Sequence, residues 1–194
     1  MKTDTQALPY EALSKPVIIT GGGLAGCEAA WQLSKRGINT LLYEMKPTLF
    51  SPAHKSPLLA ELVCSNSFRS NAIENAVGLL KEEMRMMGSL VMEAADATAV
   101  PAGRALAVDR TLFSNYIEDR LASTGLRIIR KEITGIPEDS IVIIATGPLT
   151  SESLSKSISS VTGNEYLYFY DAISPIVEAD SIDYDRAFRA SRYD

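Results

Sequence analysis

An α/β fold with a parallel sheet follows from three stretches of this 194-residue sequence. The first is Val17-Ile18-Ile19-Thr20-Gly21-Gly22-Gly23-Leu24-Ala25-Gly26, where a β-branched run enters a glycine cluster and a helical pattern starts directly after it. The second is an apolar run from Thr40 to Tyr43, closed by Glu44 eighteen residues after Gly26. The third is Ile141-Val142-Ile143-Ile144-Ala145, apolar throughout, as a central strand buried on both faces of a parallel sheet should be. Strand, glycine turn, helix and strand in that order open a doubly wound, Rossmann-like sheet.

Each glycine of the G-x-G-x-x-G spacing has its own task. Gly21 permits the tight strand-to-helix turn, and Gly23 keeps a Cβ out of the path of a pyrophosphate. Gly26 lets the helix lie close on the strand. Phosphates then sit at a helix N-terminus, where unpaired N–H groups and the macrodipole favour negative charge. Glu44 falls where a ribose hydroxyl needs an acceptor. Glycine clusters also make ordinary turns, so the spacing alone would equally suit a structural turn followed by a surface carboxylate. The strand before it, the helix after it and the placed carboxylate make the difference.

Composition narrows the class. Hydrophobic residues make up 46% and charged residues 22%, which is ordinary for a soluble globular domain. A net charge of −5 argues against a protein that coats nucleic acid, although 19 Lys and Arg leave room for a local basic patch. No apolar stretch has membrane-spanning length, and residues 1–15 have no apolar core of a signal peptide. Cys27 and Cys64 lie far apart without a C-x-x-C partner, which suits reduced thiols in a cytoplasmic protein. His54 is the single histidine, so a His-rich metal site is excluded and no metal is expected.

In chain order, residues 1–15 read as a flexible tail and Val17–Thr20 as the first strand. A helix from about Leu24 to Arg36 follows, with Ala25, Ala29 and Leu33 on one face and Gly37 as its stop. Ile38–Glu44 is the second strand. Pro47, Pro52 and Pro57 break any helix, so 47–69 reads as a long loop, and loops of that length are usually functional. Asn71 with Glu74 forms a cap for one helix carrying Val77, Leu80, Met84, Met87 and Val91 toward a core. Thr98–Val108 is extended with a break at Pro101-Ala102-Gly103. Asp109 caps a helix with Phe113, Ile117 and Leu121 inward and Gly125 as its stop, and Leu126–Lys131 is a further strand. After Ile141–Ala145, Ser151–Ser160 reads as a short helix through Leu154, Ile158 and Val161. Tyr166–Tyr170 alternates as a strand and the tail to Asp194 is polar.

Several longer segments carry a closer likeness. The glycine loop at 21–26, Glu44 and the Ala145-Thr146-Gly147 segment form the pattern of FAD-binding domains in flavoproteins with two dinucleotide-binding domains. Ala60–Ser67 (AELVCSNS), Asn75–Met84 (NAVGLLKEEM), Ala105–Arg110 (ALAVDR) and Tyr166–Ala172 (YLYFYDA) resemble the folate- and FAD-dependent tRNA (uracil-5-)-methyltransferase family, TrmFO. The resemblance covers residues from about 16 to 194. It implies a FAD-binding domain at 16–150 and the start of an inserted second domain at 151–194. It names Gly21, Gly22, Gly23, Leu24, Ala25, Gly26, Glu44, Thr146 and Gly147 as cofactor-binding residues. Arg104 departs from the family, which has a glycine there. The family's chain also continues past Asp194, with a second functional cysteine, much of the tRNA surface and the last part of the flavin site. The expectation is therefore a chain incomplete for catalysis.

The implied chemistry is methylation of uracil C5 in the tRNA T-loop. Uracil C5 is a poor nucleophile until a thiolate adds at C6. In this family, methylenetetrahydrofolate supplies the carbon, FAD carries and reduces it, and NAD(P)H restores the reduced flavin. Cys64, among Ser65, Asn66 and Ser67, is the catalytic candidate. It either adds to uracil or protects a flavin adduct. His54, Lys55 and Arg69 could meet tRNA phosphate or folate carboxylates, or be a solvated loop. Arg110 is either a FAD contact or an exposed helix-start residue, and Cys27 is a packing residue in the first helix. Two other readings stay open: a related flavoprotein that modifies the wobble uridine of tRNA, and a truncated chain that binds FAD without activity.

Overall fold

The computed structural model describes residues 15–163 and 178–188. In chain order the elements are β1 (Val17–Thr20), α1 (Leu24–Lys35), β2 (Thr40–Glu44), β3 (Ser67–Ser70), α2 (Ala76–Met86) and α3 (Leu90–Ala97). There follow β4 (Ala99–Val100), β5 (Ala105–Val108), α4 (Arg110–Ser123), β6 (Arg127–Arg130), β7 (Val142–Ile144) and α5 (Glu152–Thr162). One sheet has the order β6-β2-β1-β7, parallel throughout, with Val17 beside Thr40, Ile18 beside Val142 and Leu41 beside Arg127. A second, antiparallel sheet has the order β3-β5-β4. The expected α/β Rossmann-like class is the fold observed.

Local chemistry accounts for most boundaries. All four residues of β1 are buried, as an apolar run inside a parallel sheet requires. Gly37 stops α1 in the left-handed region at φ +68°. Asp109 accepts from the N–H groups of Thr111 and Leu112 and so starts α4. Ile19 and Leu42 from the sheet meet Phe113, Ile117 and Leu121 from α4, all fully buried, with Cys27, Ala30 and Trp31 from α1. Removing such a side chain, as in Phe113→Ala, costs about 3–5 kcal/mol.

The structure corrects several expectations. The inward face of α1 centres on Gly26, Cys27, Ala30 and Trp31, with Ala29 and Leu33 packed beside it as expected and Ala25 exposed, because Gly26 must lie on the strand. The long loop ends earlier than 69: Ser67–Ser70 pairs with β5, a partner 35 or more residues away that local pattern does not reveal. The single helix expected from Asn71 to Val91 is two. Gly88 turns the chain at φ +67° and Ser89 caps α3 by accepting from the Met92 N–H. Asn71 does not cap; its Oδ1 accepts from Arg85, and Asn75 stands at the cap position of α2. Leu80 and Met87 are exposed, not packed, because the face of α2 that carries Leu79, Leu80, Met86 and Met87 is turned to the surface. Met84 and Val91 do reach the core. In α5, Leu154 is buried while Val161 is 71% exposed.

β7 is parallel but lies at the edge of the sheet among the described residues, with Ile141 and Ile144 exposed. The apolar run matches a strand with neighbours on both sides, and here β1 alone flanks it. Arg104 sits in an exposed turn beside Gly103 (φ +61°), its carbonyl accepting from the Asn71 N–H. The readings of 1–15 as a tail, exposed Lys15 excepted, and of 166–170 as a strand fall outside the described residues.

Candidate dinucleotide-binding site

The ends of β1, β2 and β7 open into a cleft lined by Gly21, Gly22, Gly23, Glu44, Thr146 and Leu154, with Lys46, His54 and Glu61 at one side. It is the carboxyl end of the parallel strands, where this fold takes its ligands. Gly21 has φ +98°, and a Cβ there would stand 2.7 Å from the Ala145 carbonyl. A Cβ on Gly26 would collide with the Gly21 carbonyl, so α1 can approach β1 this closely only through a glycine. A Cβ on Gly22 would meet the ends of the Leu59 and Glu44 side chains at 2.5 and 2.8 Å, a less rigid obstacle than backbone. A Cβ on Gly23 meets nothing within 4 Å. The open side of the loop therefore lies over Gly23.

The start of α1 is prepared for an anion. Gly23 stands at the cap without a side chain, and the first turn carries no acidic residue. The N–H groups of Leu24, Ala25 and Gly26 come ahead of the first helical bond, Cys27 N–H to Gly23 carbonyl at 2.9 Å. A pyrophosphate fits this cradle: it has room over Gly23, backbone donors in the first turn of α1 and no acidic residue in that turn.

Glu44 is buried and shapes the loop. Its Oε2 accepts from Gly22 N–H at 2.8 Å and its Oε1 from Lys46 N–H at 2.9 Å. Each oxygen keeps a further lone pair for a ligand hydroxyl.

Sequence reasoning missed what holds the long loop over the sheet. Lys46, 3% exposed, donates from Nζ to the Leu58 carbonyl at 2.7 Å and to Glu61 Oε2 at 3.1 Å. Glu61 Oε1 accepts from the N–H groups of Lys55 and Ser56. Burial pushes the Glu61 carboxyl upward, but those two N–H groups and the Lys46 ammonium outweigh it and hold the group below the ordinary value. Arg130 grips Glu118 at 2.6 Å and the Pro57 carbonyl at 3.0 Å, and Glu118 also accepts from Leu59 N–H at 2.9 Å. Ala60, at φ +50°, donates to the Gly22 carbonyl at 2.8 Å. The loop is thus tied to the glycine turn itself. The available signal was charge in an apolar context, Arg127-Ile128-Ile129-Arg130 above all.

The remaining predicted residues scatter. His54 lines the cleft and pairs through Nδ1 with Ser51 Oγ at 2.6 Å; burial and the Lys46 cation lower its pKa, so it is neutral near pH 7. Lys55 and Arg69 are exposed and, like Gly147, do not line the cleft. Cys64 is exposed and also away from it, in the stretch that leads into β3. Arg110, at the start of α4, donates to the Cys64 carbonyl. Cys27 is fully buried, its Sγ 3.3 Å from the Gly22 carbonyl. Burial, reinforced by the Glu44 and Glu118 charges, pushes its thiol up to about 12, which makes it inert. Among the described residues, no His, Cys, Asp and Glu group could hold a metal ion and no helix is long and apolar enough to cross a membrane.

A parallel sheet with a glycine turn, an uncapped helix start and a buried carboxylate at its carboxyl end defines a Rossmann-type dinucleotide-binding domain. The family model described as Glucose inhibited division protein A matches residues 16–194, and the chain belongs to that family. It is 70% identical over 179 residues to the methylenetetrahydrofolate--tRNA-(uracil-5-)-methyltransferase TrmFO of Syntrophus aciditrophicus, covering 92% of this chain and 41% of the relative. Identity to the protein of the same name from Citrifermentans bemidjiense is 61% over 182 residues, 93% of this chain and 42% of the relative. The chain thus spans about two fifths of the length of the curated relatives it matches. Among solved structures, Aquifex aeolicus GidA superimposes with a TM-score of 0.54 at 18% identity, over 69% of this chain and 25% of that one, a likeness of fold.

Proposed function

We propose that this chain is the FAD-binding N-terminal part of an enzyme that methylates uracil C5 in the tRNA T-loop with methylenetetrahydrofolate as carbon donor. The 70% identity to a relative named as a methylenetetrahydrofolate-dependent tRNA (uracil-5-)-methyltransferase carries the reading. In this reading residues 16–150 hold FAD and 151–194 begin a second domain. When bound, FAD supplies the redox chemistry that turns a methylene into a methyl group, and NAD(P)H renews its reduced form.

The chain's own residues place and shield. The first-turn N–H groups of α1 and the space over Gly23 receive the pyrophosphate. Glu44 accepts from the adenosine ribose with the lone pairs left by Gly22 and Lys46, and Thr146 lines the same cleft while Gly147 stands next to it in the chain. His54, being neutral, offers a hydrogen bond and no charge. Cys64 is the catalytic thiol of this stretch, adding to uracil or protecting a flavin adduct: an exposed position can reach a reacting group, whereas Cys27 cannot.

Two measurements test this. An absorption spectrum of the purified chain should show bound oxidised flavin, and where none is carried through purification, FAD added to the chain should lose fluorescence on binding. The full-length protein with FAD, methylenetetrahydrofolate, NADPH and unmodified tRNA should label the T-loop uridine and spare the wobble uridine. Labelling at the anticodon would replace this function with that of a related flavoprotein.

A further inference from the structure

The segment bearing Cys64 is anchored on both sides to the junction of β5 and α4. Asn66 uses two polar groups on one residue: its carbonyl accepts from Val108 N–H at 3.0 Å, and its Nδ2 donates to the Val108 carbonyl at 2.9 Å. Val108 is fully buried, so this anchor belongs to the core. Two residues further on, Phe68 packs against Phe113 of α4 with ring centroids 5.5 Å apart. Arg110 reaches back from the first residue of α4, its Nη2 donating to the Cys64 carbonyl at 3.4 Å. An exposed cysteine in a stretch without regular structure is thereby held at its own carbonyl and at the residue two positions on.

We propose that Asn66 and Arg110 are positioning residues for the Cys64 thiol, acting through the main chain of the Cys64–Asn66 segment. The proposal rests on the reading of Cys64 as the reacting group. A thiol that must meet a ring carbon needs a defined height and direction, and a misplacement of about 1 Å can cost about a hundredfold in rate. The two residues supply this without touching the reacting atoms. Arg110, left open above between a FAD contact and an exposed surface residue, acquires a task in the covalent step.

The test uses the full-length, flavin-loaded protein with Asn66→Asp, Arg110→Met and Arg110→Lys. Asn66→Asp keeps the shape but replaces the donor to the Val108 carbonyl by an acceptor. Alkylation of Cys64 by iodoacetamide is followed by peptide mass spectrometry, with buried Cys27 as the internal control, and kcat and KM for tRNA methylation are measured beside it. Asn66→Asp and Arg110→Met should change the Cys64 alkylation rate by about threefold or more. They should lower kcat by about ten- to a hundredfold with KM within about twofold, and Arg110→Lys should recover most of both. Unchanged alkylation and unchanged kcat in both variants, with Cys64→Ala inactive, would overturn the positioning role while leaving Cys64 in its own. A methylating Cys64→Ala would instead remove the reading beneath it, and alkylation, which needs no turnover, tells the two failures apart. If Asn66→Asp fails to retain flavin, the Arg110 pair decides alone.

Discussion

Gly23 and Gly26 sit three residues apart in one motif, yet an added methyl should act on different properties. At Gly23 the backbone has φ −75°, open to any residue, and a Cβ meets nothing within 4 Å. Gly23→Ala should therefore change the stability of the flavin-free chain by less than about 1 kcal/mol, a small unfolded-state gain opposing the loss of a good cap residue. The same methyl enters the space assigned to the pyrophosphate, so FAD should bind at least about tenfold more weakly, about 1.4 kcal/mol. At Gly26 the Cβ runs into the Gly21 carbonyl, and neither backbone can yield without moving α1 or β1. Gly26→Ala should cost about 3 kcal/mol or more of stability, at or beyond the upper end of ordinary overpacking. Urea unfolding without flavin, followed by titration through quenching of flavin fluorescence, separates the two effects. Unchanged FAD affinity in Gly23→Ala would refute the placement of the phosphates. Unchanged stability in Gly26→Ala would refute the close approach of helix and strand.

Glu44→Ala removes an acceptor from two buried N–H groups as well as from the ribose, so it should lower stability by about 1–3 kcal/mol and weaken FAD binding together; a loss of binding without loss of stability would contradict the double role. Glu61→Gln leaves the buried Lys46 ammonium without its counter-charge and should cost about 3 kcal/mol at neutral pH, read by urea unfolding. The pH dependence follows from the same pair: the folded Glu61 carboxyl lies below its ordinary value of 4.5, so its contribution is complete above that value and is lost as pH falls through the lowered one. Wild-type stability should thus fall more steeply than that of Glu61→Gln on acidification below about pH 4.5, and parallel curves would exclude the linkage. Cys64→Ala in the full-length enzyme should keep its flavin and melting temperature and lose methylation, since the side chain is exposed; normal turnover would end the catalytic assignment.

How much of this the sequence determined by itself depends on the range of the interactions involved. The glycine turn, the start of α4 at Asp109 and the strands β1 and β2 were legible because each is encoded within a few residues. They follow from a left-handed turn only glycine takes freely, a carboxylate two and three residues from the N–H groups it caps, and short β-branched or apolar runs. The family likeness was legible for a similar reason, since the segments that carry it are contiguous words. Tertiary structure alone decided the rest. Helical spacing in α2 shows that Leu80 and Met87 share a face but not which way that face turns, and the packing of α2 on α3 and β3 leaves it outward. An all-apolar run signals burial of a strand, but its place in the sheet depends on the order of strands far apart in sequence, and among the described residues β7 has β1 alone beside it. β3 is only Ser67-Phe68-Arg69-Ser70, a strand because β5 supplies the partners. Lys46, Glu61, Glu118 and Arg130 look like surface charge when read singly. They become the fastening of the loop only because the fold brings residues up to 84 positions apart within hydrogen-bond distance and buries the Lys46 ammonium among them.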